Sequence, residues 1–430
     1  MHAQQSCHER TLEWCAYHNP GQLMKVLMIS DVYFPRINGV STSIETFRQA
    51  LAAEGVHSTL IAPAYPGQTD SDEAKNIVRI PSRYLPMDPE DRLMRGAALT
   101  EWLKDNADAD YDLVHIQTPF AAHYAGLKIA RALDIPAIAS YHTYFEEYLH
   151  HYIPFLPRSL MRSLARRFSR SQCEALDAVV VPSHAMADTL REYGVSRPQH
   201  IIPTGLRPEH FARGDGKSFR QRNQIENDRP LLLFVGRVAF EKNIGFLLDV
   251  VEEVRRSLPQ VLLLITGEGP ALDGLRRETS RRALSHNVRF LGYLDRKHEL
   301  ADCYQASDLF VFSSRTETQG LVLLEAMAQG KPVVALSAMG TRDILEGTPG
   351  TVIAQDEVAD FSRHVRALLQ DRPRLVRLGE EARSSAEKWS AQEMAARVHA
   401  LYRSLCGQHA DQAPEQAASS DIQHAAEASV

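Results

Sequence analysis

Short, continuously apolar runs bounded by glycine or proline, each followed by a stretch of helical periodicity, recur along this chain. The first half carries them at 26–29, 58–62, 113–116, 137–140, 178–181 and 201–203. A second series stands at 231–235, 261–266, 288–291, 309–312, 333–336 and 351–353. A strand with one face in water alternates apolar and polar residues, so a run that is apolar throughout is buried on both faces. Helices between the runs supply the cover. The pattern predicts an α/β fold of parallel strands in βαβ units. The series restarts after the polar, glycine-containing stretch 213–228, which reads as an interdomain linker.

The expected layout is an α/β domain over 23–212, the linker, and a second α/β domain over 229–388. A periodic helical segment at 389–406 follows. The polar, aperiodic residues 1–22 and the Ala-, Gln-, His- and Ser-rich residues 407–430 read as a disordered extension and tail. A length of 430 residues allows two or three domains, and 44% hydrophobic with 24% charged residues excludes a disordered or fibrous chain. The net charge of −6 argues against a protein that coats nucleic acid, but it leaves room for a local basic patch. Cys7, Cys15, Cys173, Cys303 and Cys406 show no framework spacing, which points to a reducing compartment. No run approaches the ~20 apolar residues of a spanning helix, and residues 1–22 lack the apolar core of a signal peptide. The expectation is a cytoplasmic protein, peripheral on the inner face of the membrane.

Several motifs fail on inspection. Gly267-Glu268-Gly269 follows a strand, but Leu272 occupies the third glycine position of the dinucleotide fingerprint. Gly216-Lys217-Ser218 resembles the end of a P-loop, yet Phe211 stands where the upstream glycine is required. Cys7, His8, Cys15 and His18 match no standard zinc spacing. The triplets Asp70-Ser71-Asp72 and Asp108-Ala109-Asp110 lie in acid-rich polar loops and read as solvated charge. No metal is expected.

The stretch 309–342, LFVFSSRTETQGLVLLEAMAQGKPVVALSAMGTR, carries more chemistry. A strand ends in a loop with Glu317, a helix opens near Gly320, and Glu325 follows inside that helix. Ligands of open α/β sheets bind at the carboxyl ends of strands, where a helix N-terminus offers unpaired N–H groups, here those of Gly320 and Leu321, to a diphosphate. Two carboxylates eight positions apart suit pairs of hydroxyls. In FVGRVAFEKNIGFLLDVV (234–251), Arg237 and Lys242 follow the first strand of the second series. Two cations there suit a departing diphosphate. In the first domain, Gly39 stands between the first strand and its helix, where the backbone can approach a ligand. His142 follows the strand 137–140; a lone histidine is more often structural and needs outside support.

The set NGV (38–40), HTYFEEY (142–148), VPS (181–183), IPTG (202–205), GRVAFEKN (236–243), GEGP (267–270) and ETQGLVLLE (317–325) is similar to the family 4 retaining glycosyltransferases. The resemblance runs in order over about 24–405. It implies a GT-B fold, two Rossmann-like domains facing across a cleft, with the last helix crossing back to the first domain. It further implies that Arg237 and Lys242 bind the donor diphosphate, Glu317 a sugar hydroxyl and Glu325 the nucleotide ribose. His142 would contact the sugar near its 6-hydroxyl, and the Gly39 loop would cover the phosphates. His142, Arg237, Lys242 and Glu317 form the expected catalytic set, with metal-independent catalysis and a nucleotide sugar as co-substrate. Many members carry two adjacent glycines in the first loop; here Asn38 precedes Gly39.

Residues 157–171, PRSLMRSLARRFSRS, hold five arginines and no acid. At 100° per residue, Arg158, Arg162, Arg166 and Arg170 share one side, and Leu160, Met161, Leu164 and Phe168 the other. Amphipathicity alone favours a core-packed helix with a solvated arginine face. The aromatic neighbouring segment and the ETQGLVLLEAMA wording look closer to diacylglycerol glycosyltransferases within the family, which turns the reading toward an anionic membrane surface. The expected activity is retaining transfer of a hexose, from UDP-glucose as the leading donor, to a lipid acceptor, most simply diacylglycerol. Alternatives are a transferase for a soluble or polysaccharide-intermediate acceptor, a non-catalytic sugar-nucleotide-binding protein, and a nucleotide-sugar epimerase.

Overall fold

The computed structural model describes residues 23–36, 38–66, 76–85, 88–106, 109–142, 158–295 and 299–412. The extension 1–22, the triplet 70–72, Asp108, the aromatic segment 143–157 and the tail from 413 onward lie outside the described residues.

The first domain opens with β1 (Met24–Ile29), β2 (Val56–Pro63) and β3 (Ile77–Ile80), then an antiparallel hairpin of β4 (Ser82–Leu85) and β5 (Asp88–Met94). It continues with β6 (Leu113–Ile116), β7 (Ala137–Ser140), β8 (Ala178–Val181) and β9 (Gln199–Ile201). Seven strands form one parallel sheet in the order β3-β2-β1-β6-β7-β8-β9. Alternate residues of each strand feed two cores: Leu27, Ile29, Val179 and Val181 enter one, and Val26, Met28, Ala178 and Val180 the other. β3 and the hairpin escape the sequence pattern because IVRI is a half-buried edge strand interrupted by an arginine.

The second domain holds β10 (Leu231–Val235), β11 (Leu262–Thr266), β12 (Val288–Gly292), β13 (Leu309–Phe312), β14 (Val333–Leu336) and β15 (Thr351–Ala354). These six parallel strands are ordered β12-β11-β10-β13-β14-β15, the Rossmann order, which reverses between β10 and β13. In the first sheet the reversal falls between β1 and β6. Both reversals leave a crevice at the carboxyl ends of their strands.

Two sequence expectations are corrected. Residues 213–228 are not a linker but part of the second domain. They contain the helix Gly216–Arg222, capped by Asp215, whose side chain accepts from Ser218 N at 2.9 Å. Phe219 is 2% exposed in the second core, and buried Arg220 is held by the carbonyls of Ala306, Glu226 and Arg229 and by Asp308 at 3.1 Å. A polar composition conceals packing when each buried donor finds an acceptor. The chain crosses earlier, between Ile202 in the first domain's core and Leu206 in the second's. The tail also begins later than expected, because the final helix runs Ala391–Gln412, with His409 3.0 Å from the Asp134 carbonyl.

That final helix covers one face of the first sheet, with Met394, Ala395, Val398, Leu401 and Tyr402 in the core beside Val26, Met28 and Leu113. Its return runs alongside the first crossover: Leu206 N donates to Trp389 O at 2.6 Å and Ala391 N to Leu206 O at 2.8 Å.

Candidate functional site

The second sheet's reversal dictates where its loops converge. The loop after β10 carries Arg237 and Lys242, and the loop after β13 carries Glu317 and leads into the helix Leu321–Ala328. Lys242 Nζ donates to Glu317 Oε1 at 2.6 Å, with both side chains largely covered. The backbone beneath them is tied down: Ser313 Oγ donates to the carbonyls of Lys242 (3.2 Å) and Asn243 (3.0 Å). Arg237 is exposed and makes no ion pair or side-chain hydrogen bond among the described residues. Two residues that the sequence places 75 apart therefore meet, and the loop that supplies Lys242 also carries the unengaged Arg237.

Gly267 and Gly269, a failed dinucleotide motif, have a packing role. Gly267 has φ +122°, and a Cβ there would lie 2.0 Å from the Gly236 carbonyl oxygen; at Gly269 it would lie 2.4 Å from that of Val238. The turn after β11 thus supports the backbone on either side of Arg237. Gly320, at φ +94°, is the left-handed residue that starts the helix Leu321–Ala328 and leaves that helix's first N–H groups without intrahelical partners.

Glu325 lies inside the helix, on its covered side. It is 2% exposed, accepts from the Tyr304 hydroxyl at 3.1 Å and lies 3.8 Å from His210 Nε2. In this arrangement its carboxylate lies between the helix and the segment Pro208–Phe211. Eight-residue spacing sets the helical turn but not what covers it.

On the first domain, Gly39 is exposed, and a Cβ there would meet nothing within 4 Å, so the protein's own packing does not demand glycine. Asn38 is the N-cap of the helix Gly39–Ala53, accepting from Ser41 N at 2.8 Å, which accounts for its presence in place of a second glycine. His142, just past β7, lies 3.4 Å from Gln117 Oε1 beside a small cavity of about 30 Å³ lined by Thr118, His123, Ser140 and Gln172. Burial lowers its pKa to about 4, so it is a neutral imidazole at pH 7. His142 makes no hydrogen bond to the Lys242–Glu317 pair among the described residues.

The two carboxyl edges face each other. Ser183, following β8, donates to the Thr318 carbonyl at 2.7 Å, and His184 N donates to Asp343 at 2.7 Å. Sequence reasoning missed Asp31, which follows β1 and is buried against Thr118 Oγ1 (2.8 Å) and Ala122 N (3.0 Å). Its signal was a carboxylate directly after an apolar run.

The arginine-rich segment forms the helix Arg158–Cys173. The side chains of Arg158, Leu160, Met161 and Arg162 lie outside the described residues. Arg166, Arg167 and Arg170 are exposed, and Arg166 stacks over the Tyr193 ring at 5.4 Å. The expected apolar side is only partly the buried one: Phe168 is half-buried, but Leu164 is 50% exposed. Ala165, Ser169, Gln172 and Cys173 form the covered stripe. Among the described residues no helix is long and apolar enough to cross a membrane.

Residues 37–210 match the family model described as Glycosyltransferase Family 4, and residues 215–385 the one described as Glycosyl transferases group 1. The chain is 32% identical to the alpha-monoglucosyldiacylglycerol synthase of Streptococcus pneumoniae, over 73% of this chain and 71% of that protein. It is 30% identical to a GDP-mannose-dependent alpha-mannosyltransferase of Mycobacterium tuberculosis, over 75% of this chain and 81% of that protein. Its fold is similar to that of Anabaena HepE solved in complex with UDP-glucose, with a TM-score of 0.70, 17% identity, and 89% of this chain and 100% of that one covered.

Proposed function

From the premise that the chain belongs to the family 4 glycosyltransferases of GT-B fold, we propose that it transfers glucose from UDP-glucose to diacylglycerol, with retention, at an anionic membrane surface. The observation that carries the reading is the Lys242–Glu317 pair, with the unengaged Arg237 on the same loop as Lys242, at the crevice where the second sheet reverses. A diphosphate entering there gains Arg237, shares Lys242 with Glu317 and meets the N-terminus of the helix Leu321–Ala328. Glu317, already held by Lys242, presents its other oxygen to a sugar hydroxyl. These protein cations take the place of a metal, so chelation with EDTA is expected to leave turnover unchanged.

The motif set offers no dedicated protein nucleophile, and we read the reaction as front-face displacement. The bond from the acceptor oxygen to the anomeric carbon forms on the side from which the phosphate oxygen leaves, and that oxygen takes the acceptor's proton. Arg237, Lys242 and the helix N-terminus hold the charge on the leaving group. Neutral His142 serves as a hydrogen-bonding wall for the sugar.

The lipid acceptor is supported by the exposed Arg166, Arg167 and Arg170, by the exposed Leu164 on the same helix, and by the similarity to a glucosyldiacylglycerol synthase. A mannose donor is the second reading, favoured by the similarity to a GDP-mannose-dependent enzyme. Incubation with radiolabelled UDP-glucose, UDP-galactose or GDP-mannose and diacylglycerol-containing vesicles separates them. Label in the organic phase from UDP-glucose is expected; label from GDP-mannose selects the second reading, and none from any donor overturns both. Lys242→Ala is expected to lower turnover about 10²–10³-fold with vesicle binding unchanged. Co-sedimentation with anionic vesicles that survives replacement of Arg166, Arg167 and Arg170 would remove the membrane role of the helix.

A further inference from the structure

One buried hydrogen-bonded chain links the two loops that face the crevice, and it passes through the crossover between the domains. Gln319 lies between Glu317 and Gly320 and is 8% exposed. Its side-chain oxygen accepts from Thr204 N at 2.9 Å, and its amide nitrogen donates to Thr204 O at 2.7 Å. This two-bond grip imitates a strand pairing on the backbone of the crossover. Thr204, 6% exposed, in turn donates through Oγ1 to Ser43 Oγ at 2.7 Å, and Ser43 is 1% exposed in the first turns of the helix that Gly39 opens. Beyond Gln319, Gly340 N donates to Glu317 O at 2.9 Å, so the loop is held from both sides.

We infer that Gln319 is a positioning residue, coupling the seating of the two domains to the placement of Glu317 and the helix N-terminus. The inference rests on the proposed function of that site. Rotation of one domain against the other about 202–206 moves Thr204, and Gln319 cannot follow without moving the loop that carries Glu317. Both bonds are buried, so breaking them leaves an amide and two backbone groups unsatisfied, a state that a swung-open cleft must relieve with water. Gln319 touches no reacting atom and acts through the loop. An apolar residue here would fill the space but leave the loop and the crossover to move independently.

The test uses the full chain. In Gln319→Leu, turnover number is expected to fall roughly ten- to a hundredfold while the donor KM changes less than about threefold. Amide exchange, measured without ligand, is expected to quicken in 203–206 and 317–322 together. Gln319→Glu does not rescue, because its second oxygen faces the Thr204 carbonyl. Thr204→Val keeps the backbone grip but removes the Ser43 link; it is expected to show a smaller loss in turnover number with a smaller quickening of exchange in 317–322, and it stands in if Gln319→Leu fails to fold. Unchanged turnover and exchange in both variants overturn the inference. So does a loss that appears only as lower melting temperature with exchange quickened throughout the second domain. If the wild-type chain transfers no sugar, the functional reading fails, while the paired exchange response still decides the coupling.

Discussion

Three histidines of the first domain, His115 and His123 buried and His142 partly so, oppose folding in acid. Burial lowers His115 to about 3 and His123 and His142 to about 4, against 6.5 when unfolded. The unfolded chain therefore takes up protons first as pH falls, and the stability these groups contribute is lost from about pH 6.5 down to about 4 for His123 and His142 and about 3 for His115, by at most ~1.4 kcal/mol per unit for each. Asp31 acts in the opposite sense. Burial raises it to about 6 from 3.8, so its ionisation weakens the fold as pH rises through that window and offsets part of the histidine effect. The urea midpoint is expected to drop as pH is lowered from 7 toward the histidine range, and His115→Gln to flatten the drop; an unchanged slope would refute the assignment. At this scale the place of Arg237, Lys242, Glu317 and Gly320 after strand ends was readable in the sequence, because apolar runs mark where strands stop. The sequence did not yield Gln319 or Thr204, ordinary polar loop residues until the second domain is laid against the first. Nor did it yield the cover of Glu325 by Tyr304 and His210, which comes from other segments.

Loops and helices carry the next layer. The turn after β11 fits only because Gly267 lacks a Cβ. Gly267→Ala is expected to destabilise the second domain by ~2–4 kcal/mol and to shift the Arg237 loop. Gly245→Ala is its control: a Cβ there meets nothing within 4 Å, and it lies in the helix Ile244–Val254, so it is expected to be neutral or to stabilise by ~0.5–1 kcal/mol. Thermal unfolding of the two variants checks both, and equal effects would sink the packing account. The sequence gives that helix and most strands directly, since each is a run of one period. The arginine helix was legible as a helix but not in its orientation: the pattern put Leu164 with the covered residues, and the structure leaves it exposed above a stripe of small side chains. Small residues carry little weight in an apolar pattern, yet they are what permits close approach.

Across the whole molecule, the returning final helix makes the first domain depend on the last residues described. Tyr402, fully buried, hydrogen-bonds His115 Nδ1 at 2.7 Å, and His115 Nε2 reaches Ser140 Oγ at 2.8 Å at the end of β7, two residues before His142. Tyr402→Phe leaves the imidazole with one partner fewer and is expected to lower first-domain stability by ~1–3 kcal/mol. Hydrogen exchange should quicken in 391–406 and 113–116 and remain unchanged in 231–235; a uniform response would mean that the helix is not part of that domain's core. By itself the sequence determined the parallel α/β class, the two domains, and the loops that bear the charged groups, because strand burial, period and strand-end position are local properties of the chain. Tertiary structure alone decided where the domains divide, what covers Glu325, and that Gln319 grips the crossover; the return of the final helix to the first domain was implied by the family resemblance and not by the helix's own pattern. Each depends on which distant segment covers a side chain, and a linear pattern holds no record of that.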